Sequence, residues 1–173
     1  RGATAKFASN GKGSRKKDLG LLAQAYGDVY VAQVSIGANE TQTVRALLEA
    51  ADYDGPSLVI AYSTCIAHGI DMATSMTHQK KAVASGYWPL YRYHPSPQEG
   101  TRPFSLDSKA PSIAVREFRD AETRFALLAR TDPARAAELD ALAQADVDER
   151  WHYYEQLAGV ERTMPAAPPE ERP

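Results

Sequence analysis

Cys65 is the only cysteine of the chain and the residue with the clearest capacity for chemistry. A thiolate can act as a nucleophile or a metal ligand, whereas most single cysteines are small buried apolar residues. Both interpretations are open on the residue alone. His68 follows in the same segment, but a structural zinc site needs four ligands. The other histidines, His78, His94 and His152, form no matched second pair, so we do not expect zinc at Cys65.

A short apolar segment precedes the cysteine and predicts a strand. It runs from Leu58 to Tyr62 and follows the turn residues Asp54-Gly55-Pro56. An apolar run bounded by breakers is typical of a strand buried on both faces of a parallel sheet. Because open α/β sheets bind ligands beyond the carboxyl ends of their strands, Cys65 lies where a ligand is expected.

The preceding residues predict a β-α-β unit with parallel strands. Residues 29–36 are rich in β-branched side chains and predict a strand. Asn39 is placed to cap a helix over 40–52. Its expected buried face consists of Val44, Leu47, Leu48 and Ala51. We therefore expect strands at about 29–35 and 58–62 to be adjacent and parallel, with this helix on one face of the sheet.

Two further helices are predicted on either side of this unit. Asp18 is a suitable N-cap for a helix that ends near Tyr26. Its apolar face consists of Leu19, Leu22, Ala23 and Tyr26. A second helix is predicted over 70–84, where Met72 and Met76 are expected to fill core space.

The second half of the chain predicts an aromatic strand and then helices. Residues 87–93 alternate as a strand, and Pro89 favours an edge position or a bulge because proline has no N–H to donate. Residues 94–111 form an irregular connection with a short strand near 104–106. Helices over 112–130 and 133–158 predict a helical hairpin, since Asp132-Pro133 suits a helix start.

Four segments resemble the pyruvate:ferredoxin (flavodoxin) oxidoreductases, in the family's order and spacing. They are Pro56 to Ile66; Ala5 to Ala8 with Gly11-Lys12 and Lys16 to Leu19; Tyr30 to Val34; and Gly86 to Tyr93 with Pro103 to Pro111. Enzymes of that family use thiamine diphosphate and pass electrons through iron–sulfur clusters. The resemblance covers nearly all of residues 1–160.

The resemblance implies an α/β fold and a role for Cys65. Residues 1–111 correspond to the C-terminal part of a thiamine-diphosphate-binding domain with a parallel sheet. Residues 112–160 form a C-terminal helical hairpin packed on it, and 161–173 a Pro-rich tail. In the family, the cysteine of this segment is the last of four ligands of the 4Fe-4S cluster nearest the thiamine. The other three cysteines, and the motif that binds Mg²⁺ and thiamine diphosphate, lie upstream.

The function implied is oxidative decarboxylation of pyruvate to acetyl-CoA by a longer, homodimeric cytoplasmic polypeptide. Its partners are the rest of that polypeptide, pyruvate, coenzyme A, and ferredoxin or flavodoxin. The start at Arg1 without methionine agrees with a piece of a longer chain. One cysteine excludes an internal disulfide and fits a reducing compartment. The net charge of −2 gives no drive toward nucleic acid or membrane, and no apolar run approaches the roughly 20 residues of a spanning helix.

Two other functions stay open, a related 2-oxoacid oxidoreductase with another substrate and a stand-alone interaction domain without catalysis. The second would use the aromatic strand and the loop 1–17, which holds six basic residues before the first acid, Asp18. That loop suits phosphates or a protein partner, although such charge runs are usually solvated surface. The segment Gly37-Ala38-Asn39 suits an anion as well, but we favour simple helix capping.

The resemblance predicts that the chain purified alone is colourless and inactive, because a four-iron cluster needs four thiolates and the chain has one. Iron and sulfide analysis with an absorption spectrum tests this. Stoichiometric iron and sulfide on the isolated chain would contradict it.

Overall fold

A four-stranded mixed sheet between helices is the centre of the computed structural model, which describes residues 1–96 and 98–164. The strands are β1 (Tyr30–Val34), β2 (Ser57–Ala61), β3 (Tyr91–Tyr93) and β4 (Phe104–Leu106), in the order β2-β1-β3-β4. The helices are α1 (Leu19–Gln24), α2 (Glu40–Asp52), α3 (Ser75–Ala84), α4 (Val115–Arg119), α5 (Thr123–Thr131) and α6 (Pro133–Ala158). The predicted α/β class is confirmed.

The predicted β-α-β unit is present. Strands β1 and β2 are adjacent and parallel, with Val31 opposite Leu58, and α2 connects them. All five residues of β1 are buried. The expectation that β2 is buried on both faces is wrong for this chain. Strand β2 is at the edge of the sheet and its residues are exposed or half-buried, because no strand covers its outer side among the described residues.

The two faces of the sheet pack against different helices, as the two-residue period of a strand requires. On one face, Val31, Tyr91 and Tyr93 form a buried cluster with Phe104 and with Tyr154 of α6, and Leu21 of α1 packs against it. On the other face, the buried side chains of β1 pack against Ala46 of α2; they are Tyr30, Ala32 and Val34. The sheet is therefore the middle layer of three.

Helix α2 has its predicted bounds and its Asn39 cap, but the predicted buried face is wrong. Val44, Leu47 and Leu48 are 54%, 52% and 66% exposed. The face toward the sheet contains Ala46 and Glu49, because strand β3 directs a cation, Arg92, to this side. Arg92 donates to Glu49 and, through Nε at 2.8 Å, to Asp107. The charge of Arg92 on the interior strand β3 therefore favours the polar side of α2 toward the sheet.

In the region of helices α1 and α3 as well, the side chains predicted to be buried are exposed. Leu19, Leu22 and Tyr26 of the predicted α1 face are exposed, while Gly20 and Gln24 are buried. Met72 and Met76, expected in the core, are 44% and 47% exposed. Helix α3 itself begins at Ser75 rather than 70, after a 3-10 turn over Met72–Thr74.

The aromatic strand is shorter than predicted and lies inside the sheet, between β1 and β4. It begins at Tyr91 rather than Tyr87, because Pro89 has no N–H for a ladder. Both of its pairings are antiparallel. Of the two alternatives given for this strand, the edge position is thus wrong, and the sheet has one parallel and two antiparallel pairs.

The predicted helix over 112–130 is divided into α4 and α5. The break falls at Asp120–Glu122, and Glu122 is the N-cap residue of α5. Helix α6 has its predicted bounds, and the Asp132 side chain accepts from the Arg135 N–H at 3.0 Å. Leu128 of α5 packs on Leu139 of α6, so a helical hairpin is present.

The described part of the predicted tail, 161–164, is hydrogen-bonded to the loop that follows β3. The N–H of Arg162 donates to the Thr101 carbonyl at 3.0 Å, and that of Met164 to the Ser96 carbonyl at 2.9 Å. The remaining predicted tail, 165–173, and Pro97 lie outside the described residues. Within the described ranges, no helix combines the length and apolarity of a membrane span.

Gly20 in α1 tests the packing of that helix on the sheet. A Cβ at this position would collide with the buried hydroxyl of Tyr91 and lie 3.5 Å from Val31 Cγ1. Although alanine favours helix by about 1 kcal/mol, we expect Gly20→Ala to lower the free energy of unfolding by about 1–3 kcal/mol through overpacking.

Urea denaturation measures this effect, with Gly13→Ala as a control in a loop with space for the methyl group. Adding Tyr91→Phe should recover most of the loss, because it removes the atom that collides. Equal stability of Gly20→Ala and the parent chain would contradict this packing.

Candidate functional site

Cys65 lies beyond the carboxyl end of β2, as predicted, and its side chain is a free, exposed thiol. The residue has extended backbone, with φ −137° and ψ 129°, and precedes a 3-10 turn over Ile66–His68. The N–H groups of Ile66 and Ala67 donate to no acceptor within the described residues. The interpretation of Cys65 as a buried apolar residue therefore does not describe it here.

The residues on either side of Cys65 are anchored. Thr64 is buried, and its hydroxyl lies 2.6 Å from the Ser75 hydroxyl at the start of α3. Gly69, which ends the 3-10 turn, has φ +73° and packs directly against Thr123 of α5. Only glycine adopts this backbone conformation readily. A Cβ at this position would also collide with the side chain of Thr123. The thiol is thus exposed on a segment whose two ends are held.

A buried carboxylate lies beneath this segment, and sequence analysis missed it. The Glu122 side chain is fully buried, and its Oε1 is 2.9 Å from Nε2 of His78, which is also buried. Arg124 donates to the other carboxylate oxygen. His78 and Glu122 are 44 residues apart, so no local pattern signals the pair.

Tyr62 connects this carboxylate to the strand that leads to Cys65. Its hydroxyl donates to Glu122 at 3.4 Å, and its ring packs against Trp88 with centroids 5.4 Å apart. Burial, and secondarily the negative charge of Glu122, raise the pKa of Tyr62. The phenol therefore stays protonated and a donor throughout the physiological range.

The other residues considered as ligands do not join Cys65. The N–H of His68 donates to the carbonyl of Cys65 at 3.0 Å within the turn. Across residues 1–96 and 98–164, no three His, Cys, Asp or Glu side chains are grouped to hold a metal ion. The described chain therefore offers a single cysteine sulfur at this place, not a complete metal site.

The segment Gly37-Ala38-Asn39 is occupied by protein contacts. The Gly37 N–H donates to Oε1 of Gln79 at 2.9 Å, and the Ser35 hydroxyl donates to the same oxygen at 2.8 Å. The Asn39 side chain accepts from the Gln42 N–H at 3.0 Å. Capping thus accounts for this loop, and its amide donors are engaged.

The basic segment 1–17 packs against α6 and is only partly solvated surface. Nε of Arg1 and Nε of Arg15 lie 2.7 and 2.8 Å from the Asp146 carboxylate. Nζ of Lys16 lies 5.0 Å from the ring centroid of Tyr87. One side of the segment therefore borders the helical hairpin.

Comparison with known proteins relates the whole chain to one group of enzymes. Pyruvate-flavodoxin oxidoreductase of Trichormus variabilis is 52% identical over 165 residues, which are 95% of this chain and 14% of that protein. Pyruvate:ferredoxin oxidoreductase of Moorella thermoacetica is 52% identical over 158 residues, 91% of this chain and 14% of that protein. The Klebsiella pneumoniae pyruvate-flavodoxin oxidoreductase is 49% identical over 162 residues.

In sequence, the chain is about half identical to one segment of the pyruvate-flavodoxin and pyruvate:ferredoxin oxidoreductases. The resemblance seen in the four segments is thereby confirmed. The chain spans about one seventh of the length of these oxidoreductases. No family model matches it.

The buried contacts of Glu122 with His78 and Arg124 give a stability prediction for the Cys65 side of the chain. Glu122→Ala leaves His78 and Arg124 without their shared acceptor and opens a cavity. We expect the free energy of unfolding to fall by about 3–5 kcal/mol, the usual effect of breaking a buried pair.

Thermal or urea denaturation of the variant measures that loss. Glu138→Ala is the matched control, because Glu138 is exposed and pairs with Arg135 at the surface. It should change stability by no more than about 0.5 kcal/mol. Equal effects of the two variants would mean that the buried cluster is not a major contribution.

Proposed function

We propose that this chain is part of a pyruvate-flavodoxin or pyruvate:ferredoxin oxidoreductase, corresponding to the C-terminal part of its thiamine-diphosphate-binding domain. The carrying observation is 52% identity over 95% of the chain to the Trichormus variabilis protein. The complete enzyme oxidatively decarboxylates pyruvate to acetyl-CoA and reduces flavodoxin or ferredoxin. It is a cytoplasmic homodimer that uses thiamine diphosphate, Mg²⁺, coenzyme A and iron–sulfur clusters.

In this proposal, Cys65 is one ligand of the 4Fe-4S cluster nearest the thiamine. The exposed thiol, beyond the strand end and on a segment anchored by Thr64 and Gly69, supports the assignment. When bound, such a cluster accepts and passes on single electrons. Three further thiolates come from upstream parts of the polypeptide.

The backbone around Cys65 suits that role. The N–H groups of Ile66 and Ala67 have no acceptor among the described residues, and they follow the thiol directly. Hydrogen bonds to ligand sulfurs help to set a cluster's reduction potential. We therefore assign these two amides to the sulfurs near Cys65.

The exposed apolar faces support a larger assembly. Val44, Leu47 and Leu48 of α2, with Leu19 and Leu22 of α1, are all more than half exposed. Large apolar patches mark interaction surfaces. We assign these surfaces to contacts with the rest of the polypeptide, because the chain spans only about one seventh of its relatives' length.

Two alternatives remain distinct from this proposal. A related enzyme with another 2-oxoacid would have the same fold and the same role for Cys65. Pyruvate is favoured because it stands in the names of all the relatives described above. A stand-alone interaction domain would need neither Cys65 nor any cofactor, and the Cys65 experiment below separates it.

Cys65→Ala in the complete polypeptide is the decisive substitution. It removes one iron ligand, so we expect lower iron content and loss of most flavodoxin or ferredoxin reduction. Decarboxylation chemistry at the thiamine should still occur, because the diphosphate site lies elsewhere. Cys65→Ser should recover part of the iron, since an alkoxide is a poorer ligand than a thiolate.

Iron analysis, electron paramagnetic resonance and acceptor reduction provide the measurements on the folded variants. Ser63→Ala, an exposed change in the same loop, is the control and should behave as the parent enzyme. Parent values of iron content and acceptor reduction for Cys65→Ala would show that Cys65 is not a ligand.

A further inference from the structure

A cleft of about 500 Å³ lies between the N-terminal segment 1–17 and the helices α4 to α6, and Cys65 is not in its lining. Seven cationic side chains line it. Four come from the N-terminal segment, namely Arg1, Lys12, Arg15 and Lys16. The other three are Arg119, Arg124 and Arg150. Only three carboxylates share the lining, so the cleft is positively charged.

Three of these cations are not neutralised by carboxylates. In the part of the chain that the structure describes, Lys12, Lys16 and Arg150 form no ion pair. Arg150 instead donates to the carbonyls of Gly86 and Tyr87 at 2.9 and 2.8 Å. Each of these cations retains its full charge toward the cleft, where partial enclosure reduces solvent screening.

The arginines around the cleft are already held by the protein. Arg119 is only 3% exposed and donates to Asp140 and to the Arg1 carbonyl. The Nε–H groups of Arg119 and Arg150 are buried and do not reach the open cleft. The cations that a ligand meets first are therefore the exposed Lys12 and Lys16.

The cleft also has an apolar floor, by which we mean the side chains of Leu21, Val147 and Tyr153 in its lining. The guanidinium groups of Arg119 and Arg124 already lie over the Phe125 ring, whereas Tyr153 is 43% exposed. A volume of this size is typical of small-molecule sites, and the excess of cations in the lining selects an anionic ligand. The ligand that fits therefore has an anionic end and a flat or apolar body.

We propose that this cleft binds a nucleotide, with its phosphates on the cations of the N-terminal segment and its base on the apolar floor. Lysine and arginine are the usual partners of phosphate oxygens. The proposal is independent of the function assigned to Cys65. It also gives the basic segment a specific task, in place of the general solvation usual for charge runs.

ADP is the probe, and binding is measured by isothermal titration calorimetry on the complete polypeptide that contains this chain. Adenosine and tripolyphosphate carry its two parts separately. We expect ADP to bind more tightly than either part, and its affinity to fall as salt rises, because salt screens the cations.

Two double variants with equal charge change test the location. Lys12→Ala/Lys16→Ala removes two cleft cations and should weaken ADP binding about tenfold or more, from lost charge-assisted hydrogen bonds. Lys6→Ala/Lys17→Ala removes two basic residues of the same segment that do not line the cleft. That control should keep the parent affinity.

Lysine acetylation on the unsubstituted protein provides a second measurement that does not depend on variants folding. ADP should protect Lys12 and Lys16 but not Lys6 and Lys17. The proposal is overturned by no ADP binding at millimolar concentration, or by equal weakening in both double variants, which indicates diffuse charge. An affinity that Lys12→Ala/Lys16→Ala does not change also overturns it, because ADP then binds elsewhere, as at the coenzyme A site of the complete polypeptide. Binding of ADP to the 173-residue chain but not to the complete polypeptide also overturns it, since another segment then fills the cleft.

Discussion

The buried carboxylate of Glu122 is the interaction on which the Cys65 side of the structure depends. An ionised carboxylate away from water is stable only when other groups pair with it. Here His78 of α3, Arg124 of α5 and Tyr62 after β2 all meet it. The division of the predicted helix at Glu122 follows from this need, because the break turns the side chain inward. Three elements distant in sequence are thereby held under the segment that carries Cys65.

The two faces of the sheet are covered by different kinds of contact. This difference explains why the apolar sides of α1 and α2 do not face the sheet. One face is closed by aromatic packing among Tyr91, Phe104 and Tyr154. The other is closed near α2 by Arg92 with its carboxylate partners, so α2 presents its polar side inward. The apolar sides of α1 and α2 are left outside. A chain with one seventh of its relatives' length is expected to expose such surfaces, since a short chain buries less of its apolar area.

Cys65 and the cationic cleft make different demands on the molecule, although Arg124 of the cleft lining also pairs with Glu122 below the Cys65 segment. As the proposed cluster ligand, Cys65 needs an exposed thiol on a held backbone, and N–H donors near its sulfur. The cleft needs cations that the protein has not already neutralised, such as Lys12 and Lys16. The N-terminal segment serves the cleft, whereas the β2 exit and α3 serve Cys65. The two can therefore be tested independently, one by iron content and the other by nucleotide affinity.

The sequence by itself determined the β-α-β unit, the parallel pairing of its strands, the caps at Asn39 and Asp132, and the position of Cys65 past a strand. Each depends on local signals such as breakers, capping residues and short periodic runs. Only the tertiary structure decided which helix faces are covered, that β3 is interior, and that Glu122 pairs with His78. Helical periodicity shows that one stripe is apolar but not what will pack on it, and buried charge pairs join residues that no local pattern connects.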